Sequence, residues 1–357
     1  MKKIIILTLF VVITTSLFSQ KIELKAKVDE RCELLSTVFR LAEANEYMFN
    51  MFPAFLDSVD KYFEPYKNHK VIEYCKIYRE KYGIYYHDPM ELAIHLQIIG
   101  EKISLIPNVK ENSLDSCWNR DSLPRFIELL NDFYTTTKFH DFFQMQTIRE
   151  KVETVANKYF EKIDMEWFRN FFGEVPEGSF NLVISLSNAP NNYGIKVVYL
   201  NNKEDLYAIT ICASDSLNNP IFKDSWALEL IIHEFCHSFC NHLIDENYSE
   251  MKEKADDFFA LREEILRNDA YTNSLVMLYE ILVRACVIKY FYDNYPINTK
   301  DYLSTEVNNG FIWIEELYNS FGKYEENRDE YPTLRSFMPE IINVLNKSNP
   351  EEINKKQ

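Results

Sequence analysis

Two histidines and a glutamate within five residues form the most chemically specific pattern in the chain. His233, Glu234 and His237 lie in an apolar run that extends from Trp226 to Leu243. On an α-helix the two histidines are one turn apart on the same face, so both rings can bind one Zn²⁺ ion. Glu234 then lies toward the open side of the metal, where it can act as general base for a zinc-activated water. The pattern predicts a zinc-dependent hydrolase that cleaves peptide bonds.

The apolar surroundings of this motif predict a buried helix and leave a second interpretation open. Ile231 and Ile232 precede the first histidine, and no proline or glycine interrupts the run. Such a stretch is typical of a helix in the protein core. The two histidines are therefore either metal ligands or core residues that hydrogen-bond to their neighbours.

A site of this kind needs a third protein ligand, and the spacing after the motif excludes one class of enzyme. Metallopeptidases with a third histidine need glycine seven residues, and histidine ten residues, after the first histidine. Cys240 and Leu243 occupy those positions here. His242 continues the same helix, but its position is rotated away from the histidine pair. The third ligand must come from elsewhere in the chain.

Glu280 is the predicted third ligand because it lies in a strongly apolar stretch, residues 275–287. A buried carboxylate needs compensation, either from a metal ion or from Arg284 one turn later. Both can act together, with Arg284 orienting the carboxylate while one of its oxygens reaches the zinc. A purely structural ion pair between Glu280 and Arg284 is the alternative.

These residues resemble the glutamate-ligand, gluzincin-like branch of the zincin metallopeptidases. The chain is more closely similar to a family of secreted bacterial proteins of unknown function that is assigned to the same clan. The resemblance covers most of the mature chain and includes Val28-Asp29-Glu30-Arg31, Leu34-Leu35, Arg40-Leu41-Ala42, the seven residues from His233 to Phe239, Tyr279-Glu280, Arg284-Ala285, and the residues from Tyr324 to Tyr331.

The resemblance implies a zincin-like fold, a Zn²⁺ cofactor, and a peptidase that acts on a peptide or protein substrate. It also implies an oxyanion-stabilising side chain from the C-terminal part of the chain, for which Tyr331 and Arg328 are the candidates. A packing tyrosine and a surface arginine are the alternative for these two residues. The resemblance implies nothing about which peptides are cleaved.

The N-terminus predicts export. Lys2 and Lys3 precede a short apolar segment from Ile4 to Ile13, and Ser19 lies at a plausible cleavage point. This arrangement is typical of a signal peptide over residues 1–20, since the apolar segment is too short to span a membrane. An uncleaved anchor is the alternative. We expect a mature protein in the periplasm or outside the cell, without stable membrane insertion.

The charge balance excludes one class of partner. The chain has 39 lysines and arginines against 55 aspartates and glutamates, which gives a formal net charge of −16. Nucleic acids and anionic membranes would repel such a surface. We therefore expect no nucleic-acid partner.

The cysteines do not form a disulfide-rich pattern for a chain of this length. There are 7 of them, so at least one has no partner. Cys236 and Cys240 are one turn apart on the predicted helix, where parallel side chains cannot easily bridge each other. We expect Cys236 to act as a small buried hydrophobe.

The remaining sequence predicts an α+β fold that is mostly helical. Glycine is scarce, with 7 in the chain, and apolar residues recur at helical spacing in three long stretches. These stretches are Glu30–Tyr47, Leu123–Tyr134 and Gln144–Phe172. After the break at 173–178, three short strands are predicted at Phe180–Leu186, Ile195–Leu200 and Leu206–Ala213. The predicted organisation is therefore a signal peptide (1–20), a helical N-terminal region (21–173) and a zincin-like domain (174–357) with a small mixed sheet before the zinc helix.

A strand beside the active-site cleft has a functional meaning, because an edge strand can pair with an extended peptide substrate. Leu206–Ala213 is the candidate, and an interior strand that supports the zinc helix is the alternative. Two functions remain open at this point. One is an exported zinc metallopeptidase, and the other is a non-catalytic envelope binding or scaffold protein with the same fold.

Overall fold

The computed structural model describes residues 24–174, 178–188, 192–222, 224–268 and 271–356. Over these residues the fold is mixed α+β and mostly helical, which confirms the predicted class at this level. The predicted signal peptide, residues 1–20, lies outside the described residues. Within the described part of the chain, no helix is both long enough and apolar enough to cross a membrane.

The described strands form one four-stranded sheet and two short hairpins. The sheet has the order β1-β4-β6-β5, in which β1, β4 and β6 are parallel and β5 pairs antiparallel with β6. The strands are β1 (Ala26–Val28), β2 (Leu96–Ile99), β3 (Lys102–Leu105), β4 (Phe180–Ser185), β5 (Tyr193–Val198), β6 (Glu204–Ile211), β7 (Ala213–Ser214) and β8 (Pro220–Ile221).

The three strands predicted from the sequence are confirmed as elements, and Leu206–Ala213 is the interior strand that was the alternative rather than an edge strand. The predicted strand at Leu206–Ala213 corresponds to β6, which lies between β4 and β5 in the interior of the sheet. A nearly continuous buried run is what a strand with two neighbours needs, and most of β6 is buried. The edge strand next to β6 is β5, which returns antiparallel along it from Tyr193 opposite Ile209 to Val198 opposite Glu204, and β1 forms the other edge.

The helices account for most of the described residues, and two of them, α9 and α10, carry the predicted metal ligands and the predicted base. The predicted stretch Gln144–Phe172 divides because Asp164 caps a new helix by accepting from the Glu166 N–H. The helices are α1 (Glu30–Leu41), α2 (Pro53–Phe63), α3 (Lys70–Tyr82), α4 (Asp88–His95), α5 (Leu123–Thr136), α6 (Phe139–Met145), α7 (Thr147–Phe160), α8 (Met165–Phe172), α9 (Asp224–Asn268), α10 (Ser274–Asn294), α11 (Thr299–Asn308), α12 (Ile314–Glu326), α13 (Leu334–Lys347) and α14 (Pro350–Lys356).

Helices cover both faces of the four-stranded sheet. On the α9 face, the Phe180 ring lies 5.2 Å from the Phe235 ring and 5.9 Å from the Phe239 ring. On the other face, the Arg31 guanidinium of α1 lies over the Tyr207 ring at 6.0 Å. Because side chains alternate along a strand, even-numbered residues of β4, β5 and β6 face α9 and odd-numbered residues face α1.

The two long helices α9 and α10 pack against each other, and α9 packs against β5 and β6 of the sheet. Helix α9 departs from helical geometry at Arg262, where φ is −129°. Asn273 caps α10 by accepting from the Val276 N–H. Between the helices, the Sγ atoms of Cys240 and Cys286 are 3.9 Å apart, and none of the seven cysteines forms a disulfide. Cys236 is buried, as predicted.

The first residues of the described chain join the sheet, although they precede the predicted domain boundary at 173/174. Strand β1 pairs with β4, and the backbone of Ala26 exchanges hydrogen bonds with the Asn157 side chain of α7. Glu33 of α1 accepts from the Ser185 hydroxyl, the Leu186 N–H and the Ser187 hydroxyl at the end of β4. That boundary stays a prediction, and the sheet is built from residues on both sides of it.

The buried Glu33 carboxyl predicts a pH-dependent stability. Burial raises its pKa from 4.5 to about 7, although its three hydrogen bonds oppose this rise. The folded protein therefore keeps the proton between pH 4.5 and 7, where the unfolded chain releases it. Over that window the contribution of Glu33 to the free energy of unfolding falls as pH rises, by on the order of 3 kcal/mol.

Substitution Glu33→Gln should remove this loss. We expect the free energy of unfolding of the variant to gain on that of wild type from pH 5 to pH 7 and then to run parallel with it. Urea unfolding of wild type and variant at several pH values, with a chelator present, measures the two free energies of unfolding. The control is Glu128→Gln, at an exposed position of α5. A Glu33→Gln difference that stays constant with pH contradicts the prediction.

Candidate metal centre

His233 and His237 meet on one face of α9. The motif lies in the apolar part of the helix, where Ile231, Ile232 and Phe235 are buried and fix its orientation against the core. The two Nε2 atoms are 3.0 Å apart, and the ring planes are nearly perpendicular at 79°. Both rings therefore direct a nitrogen to the same point.

Glu280 completes the group from the neighbouring helix. Its Oε1 lies 3.3 Å from Nε2 of His237, and its Oε2 lies 3.6 Å from Nε2 of His233. The three side chains are 17%, 23% and 12% exposed in the order His233, His237, Glu280, so a small ion or ligand can reach them from solvent. Among the described residues, they are the one group of three or more acidic, histidine or cysteine side chains whose ligand atoms lie within 4.8 Å of one another.

The spacing of these atoms suits a tetrahedral metal ion. An ion bound at about 2.0–2.2 Å in tetrahedral geometry separates its ligand atoms by about 3.3–3.6 Å. The observed separations of 3.0, 3.3 and 3.6 Å fall at or near this range. Two imidazole nitrogens and one carboxylate are also a donor set that catalytic zinc takes, with a fourth position left for water or substrate.

The charges of the three side chains are strongly coupled. Burial lowers the pKa of His233 to about 3, whereas the pKa of His237 is raised because Glu280 outweighs the effect of burial. Burial alone would raise the pKa of Glu280, but the hydrogen bond from His237 and the nearby cations lower it to about 2. Glu280 is thus an anion, and of the two imidazoles beside it His237 takes up a proton more readily than His233, so a metal ion that binds here competes with protonation of His237.

Arg284, one turn after Glu280, contacts the Glu280 carboxylate. Its Nε lies 3.3 Å from Glu280 Oε2, while Nη1 and Nη2 donate to Glu306 at 2.8 Å and to the Tyr271 hydroxyl at 3.0 Å. The guanidinium also lies 4.6 Å from the centre of the Phe311 ring. With its donors held on several sides, Arg284 fixes the position of the Glu280 carboxylate.

Sequence reasoning missed two outer partners of the site. Asn241 Oδ1 lies 3.1 Å from Nδ1 of His237, so that Nδ1–H donates and leaves the Nε2 lone pair free for a metal. Its position four residues after His237 on the same helix was a usable signal. Glu306 comes from the more polar α11, and no local pattern marks it.

Glu234 lies between the metal ligands and the edge strand. Burial raises its pKa to about 7, and the Gly194 N–H of β5 donates to its carboxylate. A Cβ atom on Gly194 would lie 2.3 Å from Glu234 Oε2, so only glycine leaves room for the carboxylate in this position. The absence of a side chain at residue 194 is therefore part of the site.

Within the described part of the chain, the edge of β5 is covered by another segment at its Val198 end, and near the other end its backbone donates to the Glu234 side chain. The Val198 N–H donates to the Ser113 hydroxyl at 2.9 Å, and the Val198 carbonyl accepts from the Lys110 N–H at 2.8 Å. Because backbone groups alternate along an antiparallel strand, those of Gly194 and Lys196 also point away from β6. These two residues border the site, and Gly194 is exposed.

Tyr331 and Arg328 are not brought to this group by any of their hydrogen bonds. The Tyr331 hydroxyl lies 3.5 Å from Glu340 of α13. Arg328 donates to the carbonyls of Phe171, Asn170 and Pro332. These hydrogen bonds connect Arg328 to the end of α8 and Tyr331 to α13, and a role in stabilising the oxyanion stays a prediction for both residues.

Comparison with known proteins identifies a family and no activity. A family model described as Domain of unknown function (DUF4932) matches residues 24–344. No curated protein and no solved structure matches the chain.

Proposed function

The chain belongs to the family described as Domain of unknown function (DUF4932), and we propose that this member is an exported zinc-dependent metallopeptidase of the zincin type. The observation that carries the proposal is the convergence of His233, His237 and Glu280 within 4.8 Å, with Glu234 on the same helix. A metal site for structure alone has no use for Glu234 between its ligands. A hydrolase needs a base there.

The chain's own residues supply the other parts of peptide hydrolysis. When bound, zinc would polarise the carbonyl of the scissile bond and lower the pKa of a nearby water molecule. Glu234 accepts the proton of that water and passes it to the departing amine, and burial favours proton uptake by this carboxylate because it raises its pKa. The Gly194 N–H holds the Glu234 carboxylate, while Asn241 and Arg284 hold His237 and Glu280.

Strand β5 supports binding of an extended peptide. The Gly194 carbonyl and the backbone groups of Lys196 point outward beside Glu234, where a substrate strand can pair with them. Such pairing is independent of substrate side chains and aligns the scissile bond with the base. This role, first assigned to Leu206–Ala213, passes to β5 because β6 has neighbours on both sides.

The proposal is tested by the metal content and peptidase activity of the purified mature protein. We expect about one zinc per chain, cleavage of a peptide library, loss of cleavage with a chelator, and recovery when zinc is added back. Zinc-loaded protein that cleaves no peptide in the library supports the scaffold interpretation instead. Absence of zinc binding contradicts both the metal site and the enzyme.

Substitution Gly194→Ala should impair catalysis without removing the metal. The new Cβ would lie 2.3 Å from Glu234 Oε2 and 3.3 Å from Glu234 Cβ, so the base must move. Since a displacement of this size can cost about 100-fold, we expect kcat/KM to fall roughly 10- to 100-fold with an unchanged zinc content. The matched control is Gly322→Ala, where nothing lies within 4 Å of the added atom. Equal kcat/KM for Gly194→Ala and wild type would refute a positioning role for this backbone.

A further inference from the structure

The edge of β5 is short because another segment of the chain covers its far end. Residues 108–113 form hydrogen bonds with both the N–H and the carbonyl of Val198. The Leu200 N–H also donates to the Asn108 carbonyl, at 2.7 Å. Ser113 is itself held by His95 Nε2 at 2.9 Å. Val109 also forms a bridge with Tyr199. This segment, the strand cap, ends the edge at Val198.

Little of the edge remains for a substrate. Between Glu234 and the strand cap, Gly194 and Lys196 are the residues of β5 whose backbone groups point outward, and Glu234 occupies the Gly194 N–H. From Gly194 to Val198 the strand rises about 13 Å. A paired substrate therefore has room for about two or three residues on this side of the scissile bond.

A cavity lies at the capped end on the same face of the sheet. It has a volume of about 490 Å³ and is lined by Asn202 and Glu204 near β5, Phe239, His242 and Glu246 of α9, and Glu174 and Arg335. Glu204 is opposite Val198, so its side chain shares the face of Gly194 and Lys196. Along α9, His242 is about 12 Å beyond Glu234, which is close to the rise of β5 from Gly194 to Val198.

The charges of this cavity favour an ammonium group over a carboxylate. Among the described residues, its lining has three carboxylates and one guanidinium, and burial lowers the pKa of His242. Arg335 is shared between Glu174 and Glu246, and Lys196 pairs with Glu204 at 3.2 Å. The three carboxylates and the two cations, Arg335 and Lys196, together have a formal charge of −1. A chain that pairs antiparallel with β5, the commoner arrangement, has its N-terminus at this end.

We infer that the site removes short fragments from the free N-terminus of peptides, with the terminal ammonium bound in the cavity at the strand cap. This inference rests on the proposed peptidase function. Water adds across the peptide bond, giving a fragment of two or three residues with a new carboxylate and a shortened chain with a new amino terminus. The strand cap excludes chains that continue further in this direction.

Three versions of one peptide test the inference with the zinc-loaded protein. They have free ends, an acetylated N-terminus or an amidated C-terminus. We expect acetylation to lower kcat/KM about 10-fold or more, because it removes a charged hydrogen-bond donor, and amidation to have little effect. Mass spectrometry should find N-terminal fragments of two or three residues. Equal cleavage of acetylated and free peptides, or a loss caused by amidation instead, overturns the inference.

Substitution Glu204→Gln should shrink the ratio between free and acetylated peptides, with Glu128→Gln as the matched exposed control. Circular dichroism and thermal unfolding check that both variants fold. A ratio equal to that of wild type contradicts the role of Glu204.

Binding to the Glu234→Gln variant separates failure of this inference from failure of the proposed function. Fluorescence anisotropy of peptides with a C-terminal label measures binding without cleavage. If the variant binds peptides with a free amino terminus more tightly than acetylated ones and the wild type cleaves neither, recognition of the amino terminus is supported and the peptidase function is contradicted. If the wild type cleaves peptides and the variant binds free and acetylated peptides equally, the peptidase function is supported and recognition of the amino terminus is contradicted.

Discussion

Glu234→Gln is expected to abolish peptide cleavage while one zinc ion per chain remains bound. Glutamine keeps the length of the side chain and an acceptor for the Gly194 N–H, but it cannot take a proton from water. Because a positioned general base contributes about 10²- to 10⁴-fold, kcat should fall within or beyond that range. The ligands His233, His237 and Glu280 are unchanged, so the zinc content should equal that of wild type when it is measured by inductively coupled plasma mass spectrometry.

The matched control for this substitution is Glu253→Gln, which changes an exposed glutamate of the same helix. Its kcat and zinc content should both equal those of wild type. If Glu234→Gln retains kcat within a few-fold, the residue is not the base and the proposed mechanism is wrong. If zinc is lost as well, the substitution has disturbed the site and the activity says nothing about proton transfer.

The local parts of the site could be predicted from the sequence. His233, Glu234 and His237 are fixed relative to one another by helical spacing, and their apolar surroundings predict the buried helix that α9 provides. Glu280 and Arg284 stand out because each is a charged residue in an apolar run, which demands compensation wherever it folds. The Glu280 carboxylate lies near both histidines and Arg284 at once, an arrangement that fits the metal-ligand interpretation and the ion-pair interpretation alike.

The nonlocal parts could not be predicted in this way. Strand β1 has three residues, too few to show a period, and it finds its place by pairing with a strand more than 150 residues later. The edge position of β5 depends on the order in which strands pair, which side-chain alternation does not encode. Arg328 and Tyr331 were suggested by a resemblance alone. In the structure Arg328 hydrogen-bonds to α8 and Pro332, and Tyr331 to α13.

Glu280→Gln should remove zinc from the protein, and this decides between a metal ligand and a structural ion pair. Glutamine keeps the size of the side chain but loses the anion that balances the metal and raises the pKa of His237. Loss of a partner outside the ligand set, such as Asn241→Ala, should weaken zinc binding by about 10- to 100-fold. Loss of a ligand should exceed this, so that Glu280→Gln is recovered without zinc and cleaves no peptide.

Unfolding measured with and without a chelator separates the metal from the fold. Wild type should lose stability when the chelator is added, because zinc binds the folded state in preference to the unfolded chain. Glu280→Gln should show no such difference, since it holds no metal in either condition. A purely structural pair predicts the reverse: the variant would lose stability in both conditions, because Arg284 loses one of its anions, and yet bind zinc as wild type does. Zinc titration of the chelator-treated proteins at pH 7 therefore gives opposite results for the two roles of this carboxylate.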